Sequence, residues 1–302
     1  MRNLAITLSA ILIFSLISIN FAQDAENPVK PETEEKSPQT QPAKKYKIFQ
    51  SFDVGMVFEK HTKYDLSIDM GNQKRSVSMI TNIEITILKA DKGIPKSAKV
   101  KFLKTELTGM DSKKAPNLNI DLKGHWVEGT VDEHLMLKIE KKSPEFPAAG
   151  ENFIIGLQLI EFSFPKKVIA VGEKWDSGKE ILGKSSAQFP GDFETTTTLT
   201  KILKDNDETE KSAIINMTVD ATMKIDEQER KLTGNAEYNY DLQKNRIVSS
   251  KMNVEIIITE TQDNQKMVVK MPVTSTVEYK YSDEDSKDEN NTKNVKPEPK
   301  EE

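Results

Sequence analysis

Between residues 45 and 282, apolar and polar side chains alternate with a period of two over long stretches, as strands that bury one face do. Residues 63–70 (KYDLSIDM) alternate cleanly, and 76–90 (SVSMITNIEITILKA) continue the alternation with many β-branched residues. Gly93 and Pro95 mark a turn before 98–109 (AKVKFLKTELTG), so this stretch predicts a hairpin. Further strands are expected at 118–132 and 133–142. After a break the pattern resumes at 192–204, where four threonines run together, and continues at 212–225, 230–243, 246–259 and 266–281. Side chains branched at Cβ are stiff at χ1 and suit strands. Pro272 lacks an N–H, which places a break or an edge position within the last strand.

The interruption is itself informative. Residues 147–165 (PAAGENFIIGLQLIEFSFP) are mostly apolar without alternation. Phe153, Leu157, Ile160 and Phe164 stand at i, i+4, i+7 and i+11, one face of a helix, with Pro147 before and Pro165 after. A short apolar helix is expected over about 149–162, although Gly156 costs such a helix about 1 kcal/mol against alanine.

The two β stretches echo one another in order. Val54-Gly55 is matched by Val171-Gly172, the hairpin sequence at 87–93 (ILKADKG) by that at 202–208 (ILKDNDE), and Leu122–Gly124 by Leu232–Gly234. The expected fold is therefore mainly β and antiparallel. Two duplicated β-meander halves, about 45–146 and 166–282, form a curved sheet, an open barrel or a sandwich, with the helix between them. Trp175 then falls at the start of the second copy, packed into the core.

The ends change the picture. Arg2 precedes an uncharged apolar run from Leu4 to about Ile19, with Ala22 beyond it. This is the layout of a secretory signal peptide over 1–22, and the run is short for a membrane span of about 20 residues. Cleavage near Ala22 leaves no transmembrane span; retention as an anchor is the alternative. Segments 23–44 and 283–302 are rich in Pro, Glu, Lys, Asn and Ser, and are read as a disordered linker and a disordered acidic tail. The whole chain holds 43 basic and 48 acidic residues. Setting aside Arg2, the 3 basic and 5 acidic residues of 23–44 and the 4 and 8 of 283–302 leaves 35 of each in the body. A neutral body offers no basic footprint for nucleic acid. The chain has no cysteine, which excludes disulfides, thiolate metal sites and thiol catalysis.

In its signal peptide, low-complexity linker, β-rich body and mid-chain Pro165, Val168, Val171, Gly172 and Trp175, the chain resembles exported bacterial β-rich proteins grouped as domains of unknown function. In those, a similar stretch opens the second half. The architecture is more distantly similar to the half-barrels of bacterial lipoprotein carriers and their outer-membrane receptors. Neither resemblance supplies catalytic residues, and an architecture does not fix a function.

Candidate chemistry is sparse. There are 3 histidines, His61, His125 and His134. His125 and His134, nine apart with Asp132 and Glu133, read either as a metal site formed across strands or as surface histidines on a hairpin. No nucleophile elbow, zinc helix, phosphate loop or dinucleotide fingerprint occurs. No cofactor, metal or catalytic residue is expected. The candidate ligand-contacting or packing residues are Phe153, Leu157, Ile160, Phe164, Trp126 and Trp175. The expectation is a non-enzymatic protein, periplasmic or extracellular, binding a lipid or other apolar ligand or an envelope protein. A structural or adhesive β module, and a carboxylate- or His-dependent hydrolase, are the alternatives.

Overall fold

The alternating stretches become strands of one sheet. The computed structural model describes residues 43–69, 74–109, 121–154, 157–176, 191–225, 228–262 and 265–282. The expected signal peptide at 1–22, nearly all of the linker and the tail at 283–302 lie outside the described residues. In chain order the strands are β1 (Lys45–Tyr46), β2 (Val57–Asp69), β3 (Lys74–Asp91), β4 (Ile94–Thr108), β5 (Trp126–Val131), β6 (Leu137–Lys142), β7 (Ile169–Ala170), β8 (Lys174–Trp175), β9 (Gly191–Lys204), β10 (Glu210–Ile225), β11 (Gln228–Asp241), β12 (Arg246–Gln262) and β13 (Gln265–Tyr281).

Eleven of them form a single antiparallel sheet in the order β6-β5-β4-β3-β2-β13-β12-β11-β10-β9-β8, while β1 pairs with β7. The first and last long strands, β2 and β13, meet in the middle. The edges, β6 and β8, are therefore the strands on either side of the mid-chain break, and the sheet is not closed into a barrel. β13 runs through Pro272 as a central strand, not an edge. Its register against β2 steps from Val273–Leu66 to Lys270–Asp69, with Pro272 in the interval. A central strand tolerates the missing N–H there because pairing with β12 continues on the other side, Pro272 facing Glu255.

One face of the sheet carries the core. β2 turns Phe58, Lys60, Thr62, Tyr64 and Leu66 inward, and β13 turns Val269, Met271, Val273, Ser275, Val277 and Tyr279 inward, with half-buried or exposed residues between them. Register shifts at Asn82/Ile83 in β3, Ile214/Ile215 in β10 and Asn239/Tyr240 in β11 bend the strands, as bulges do.

The expected helix is a single turn. A 3-10 turn at Ala148–Gly150 leads into α1 (Glu151–Ile154), which has four residues. Beyond it the chain is extended: Leu137 N–H donates to Leu157 O at 2.9 Å and Leu159 N–H to Leu135 O at 2.9 Å. The apolar spacing is helical, but these carbonyls and amides are taken by the start of β6 instead. The apolar run is buried because it lies under the sheet, not because it winds.

The echo is partly a shared turn. Gly55 and Gly172 have φ of +85° and +86°, the third position of a turn that returns a hydrogen bond to Asp53 or Ala170. Each glycine N–H also donates into the sheet, to Ile87 O or Leu199 O. Gly124 has the same φ of +85° and the same pair of bonds, to Phe102 O and from His125 to Leu122. Among the described residues the same turn thus precedes β2, β5 and β8. Its matched partner in sequence, Leu232–Gly234, instead lies within β11, where a Cβ on Gly234 would collide with the backbone of Asn253 and Val254. Replacing Gly55 by alanine meets no atom within 4 Å. Its cost should be the backbone strain alone, about 1–2 kcal/mol, read as a lower urea midpoint at unchanged slope.

Candidate functional site

The mid-chain segment 157–164, here called the strap, crosses the concave face of the sheet. At one end Leu157 and Leu159 are bonded to the start of β6, and Gln158 Nε2 donates to His134 O at 2.8 Å. Three residues later Glu161 meets the middle of the sheet. Its carboxylate lies 2.6 Å from Lys60 Nζ of β2 and accepts from Tyr64 Oη at 3.3 Å, while its N–H donates to Tyr279 Oη of β13 at 3.0 Å. Lys60 Nζ also donates to Gln158 O at 3.1 Å. On a flat sheet β6 and β2 are four inter-strand steps apart, about 19 Å. Gln158 bridges Met136 beside β6, and yet its own carbonyl is reached by the Lys60 side chain of β2 at 3.1 Å, well short of that span. The sheet therefore curls over the strap.

Aromatic packing holds the strap's far end. Phe162 meets Tyr238 of β11 and Phe164 with ring centres 4.8 Å apart in each case, and Trp175 at 6.4 Å, all edge to face. Trp175 Nε1 donates to Ser163 O at 3.3 Å. Such pairs contribute about 0.5–1.5 kcal/mol each beyond area burial.

The Lys60–Glu161 pair is almost fully buried, with side chains 6% and 9% exposed. Its neighbours are neutral phenols. Burial, and then the Glu161 charge, push the Tyr238 and Tyr279 hydroxyls well above the ordinary tyrosine range. Burial raises Tyr240 to about 12 and raises Tyr281 as well. Each folded-state value stands above the unfolded one, so the folded chain keeps a proton that the unfolded chain releases. This stability is complete below about pH 10 and is lost as pH rises through the raised values. The melting temperature should fall as pH rises above about 10, and Tyr238→Phe should make that fall smaller.

Near the strap's aromatic end a cleft of about 380 Å³ opens to solvent. Its walls include Phe52, Pro95, Leu135, Phe162 and Phe164, with Gln50, His134 and Lys166 among the polar groups. The segment 43–56 closes this end of the sheet. Tyr240 Oη donates to Phe49 O at 2.6 Å, Gln50 bonds Ile247 N and Tyr281 Oη, and Phe52 N–H donates to Gly93 O at 2.9 Å.

The opposite end is different. There Tyr64, Leu66, Met79, Val254, Ile256, Ile258, Val269, Met271 and Val273 form a second apolar cluster, on β2, β3, β12 and β13. Leu107, Leu232, Met252 and Phe153 pack against it. Of the described residues in this cluster, only Phe153 comes from outside the sheet.

Among the residues expected to contact ligand, Phe153 and Leu157 are half-buried and Ile160 is fully buried under the sheet. Phe164 lines the cleft, and Trp175 packs on Phe162. Trp126 stands apart on the outer face, with Lys99 Nζ 4.4 Å above its ring. His134 is buried, not a surface residue, because its loop folds under the strap. His125 Nδ1 lies 3.0 Å from Ser143 Oγ, and no group of three or more metal-ligating side chains occurs among the described residues. The pair at the centre, Lys60 and Glu161, was passed over in sequence, though a signal existed. Lys60 is in phase with Phe58, Tyr64 and Leu66, and Glu161 interrupts an apolar run.

No protein-family model matches the chain, and no curated protein matches it in sequence. Among solved structures, lipovitellin, in a structure concerned with its lipid–protein interactions, is similar with a TM-score of 0.45 and 14% identity, over 76% of this chain. The chain spans 25% of that lipovitellin chain. DynF, from the dynemicin biosynthesis pathway of Micromonospora chersina, gives a TM-score of 0.26 at 8% identity, over 86% of this chain and 95% of that one. Neither likeness carries weight for function.

Proposed function

We propose that the chain is an exported, non-enzymatic binding protein that holds a lipid or another apolar ligand against the concave face of its sheet, with the strap as its cover. The observation that carries this reading is the cleft of about 380 Å³ at the strap's aromatic end, walled by Phe52, Pro95, Leu135, Phe162 and Phe164. Apolar walls of this kind favour an apolar occupant, at about 25 cal/mol for each Å² removed from water. The apolar leader sequence supports export to the envelope, where lipids and lipid-bearing partners are at hand. No helix among the described residues is long and apolar enough to cross a membrane.

The polar groups under the strap favour binding over catalysis. The acid of Glu161 is engaged by an amine and a phenol, and Asp132 Oδ1 accepts the N–H groups of His134 and Met136 to hold a turn. Native mass spectrometry of the full chain from its own host tests the reading. A co-purifying adduct of lipid mass, removed by solvent extraction and restored by adding the extract back, is expected. A bare chain that also fails to take up lipid from the extract would overturn it.

A further inference from the structure

Among the described residues, five large apolar side chains are largely exposed, and four of them stand at one end of the sheet. Ile94 (51% exposed) is at the tip of the β3–β4 hairpin. Val54 (65%) lies beside that tip, since Phe52 N–H donates to Gly93 O. Val168 (46%) and Val171 (48%) flank β7, whose partner β1 leads through Gln50 to Phe52. The fifth, Val268, is near the start of β13 at the opposite end. The cleft opens among the four: its walls include Ile94 and Lys96 of the hairpin and Phe164 and Lys166 of the mid-chain segment. Exposed aliphatic side chains scattered singly are ordinary, but a group gathered around a cleft mouth marks a contact surface.

Lysines accompany these side chains. Lys92 and Lys96 bracket Ile94, Lys166 and Lys167 precede Val168, and all four are exposed. The stretches around the mouth, 43–56, 91–97, 131–136 and 164–172, hold seven lysines against four acids, in a body whose charges balance. Two of those acids are engaged. Asp132 Oδ1 accepts the N–H groups of His134 and Met136, and Glu133 Oε1 lies 3.3 Å from His134 Nε2. Lys167 Nζ in turn meets Glu173 at 2.7 Å, so the positive excess is modest and local. Aliphatic tips set among lysines match the interface of an anionic bilayer, where the apolar side chains reach the acyl boundary and the ammonium groups meet lipid phosphates. Resting on the proposed function, we infer that the cleft end of the sheet docks on a bilayer surface that bears anionic lipids. Ile94 and Val168 enter the headgroup layer, with Val54 and Val171 beside them. The cleft mouth then faces the acyl chains, and its apolar ligand passes directly between bilayer and protein.

The chain has no cysteine, so Ile94→Cys, Val168→Cys and Val268→Cys can each carry a single polarity-sensitive dye on the full chain. With vesicles of equal parts phosphatidylcholine and phosphatidylglycerol, the dye at 94 and at 168 should shift to the emission of an apolar medium. The dye at 268 should not. In vesicle sedimentation, unlabelled chain should bind pure phosphatidylcholine at least about tenfold more weakly than the anionic mixture. Lys92→Gln/Lys96→Gln should weaken binding to the mixture about tenfold or more, and Ile94→Ser/Val168→Ser about tenfold. These positions are exposed, so the variants should fold and still hold the lipid that native mass spectrometry detects. Equal binding to both vesicle types, an equal response at 268, or no loss in either double variant would overturn the docking surface. Binding lost with the lysines and with added salt, but not with Ile94 and Val168, would point to an acidic protein partner and overturn it too. A chain that holds lipid and binds no vesicle would overturn the docking surface alone. Vesicle binding by a chain that never holds lipid would keep the docking surface and overturn the proposed function, and failure of both would overturn both.

Discussion

Glu161→Gln alone is expected to lower the unfolding free energy by about 3–5 kcal/mol, whereas Lys60→Met/Glu161→Gln should cost far less than that or nothing. The asymmetry follows from where the charges sit. Both side chains are more than nine-tenths buried, and their Coulomb attraction offsets the desolvation of two ions. Removing the acid alone leaves the ammonium with the neutral carbonyl of Gln158 and no anion. Removing both charges leaves an apolar pair of similar volume, which buried sites commonly accept without loss. Chemical denaturation of wild type, both single variants and the double variant gives the coupling energy directly. A double variant as unstable as the worse single variant would show that the strap is held by shape and backbone pairing, not by the ion pair.

Phe162→Ala should cost about 3–5 kcal/mol, the range for deleting a buried aromatic ring. Its ring is 5% exposed and touches Tyr238, Phe164 and Trp175 at once. These contacts fasten the strap to β11 and to the start of β8, so the loss should be local before it is global. Trp175 fluorescence should shift toward that of a solvated indole. Hydrogen exchange should quicken at 159–163 before it quickens in β12 and β13. Uniform quickening across the sheet would mean that the strap is an inseparable part of one cooperative core.

The strands were legible because alternation survives at the level of single residues. Residues 212–225 alternate Ala213, Ile215, Met217, Val219 and Ala221 inward, and the observed strand β10 begins only two residues earlier. The strap departs from its expected helix for an equally local reason. Its spacing of Phe153, Leu157, Ile160 and Phe164 fits a helix, but spacing describes which side chains are apolar, not where the backbone finds its hydrogen-bond partners. Those partners are Leu135 and Leu137, twenty or more residues earlier. Trp126, one of two tryptophans, lies under Lys99 and does not line the cleft. Lys60 escaped notice because a lysine in an alternating strand ordinarily faces water. Only its phase against Phe58 and Leu66 marked it as turned inward.

The sequence by itself determined the class: a period of two, neutral charge over the body and no cysteine specify an antiparallel sheet that hides one face and relies on ordinary packing. It also determined the hinge of the chain at 147–175, where alternation stops. Tertiary structure alone decided that β2 and β13 pair and leave the two edges at that hinge, because strand order depends on contacts between residues some two hundred positions apart. It also decided that the strap lies beneath the curled sheet. A buried charge needs a partner within a few ångströms, and that partner, Glu161, is 101 residues from Lys60 along the chain and 2.6 Å away in space.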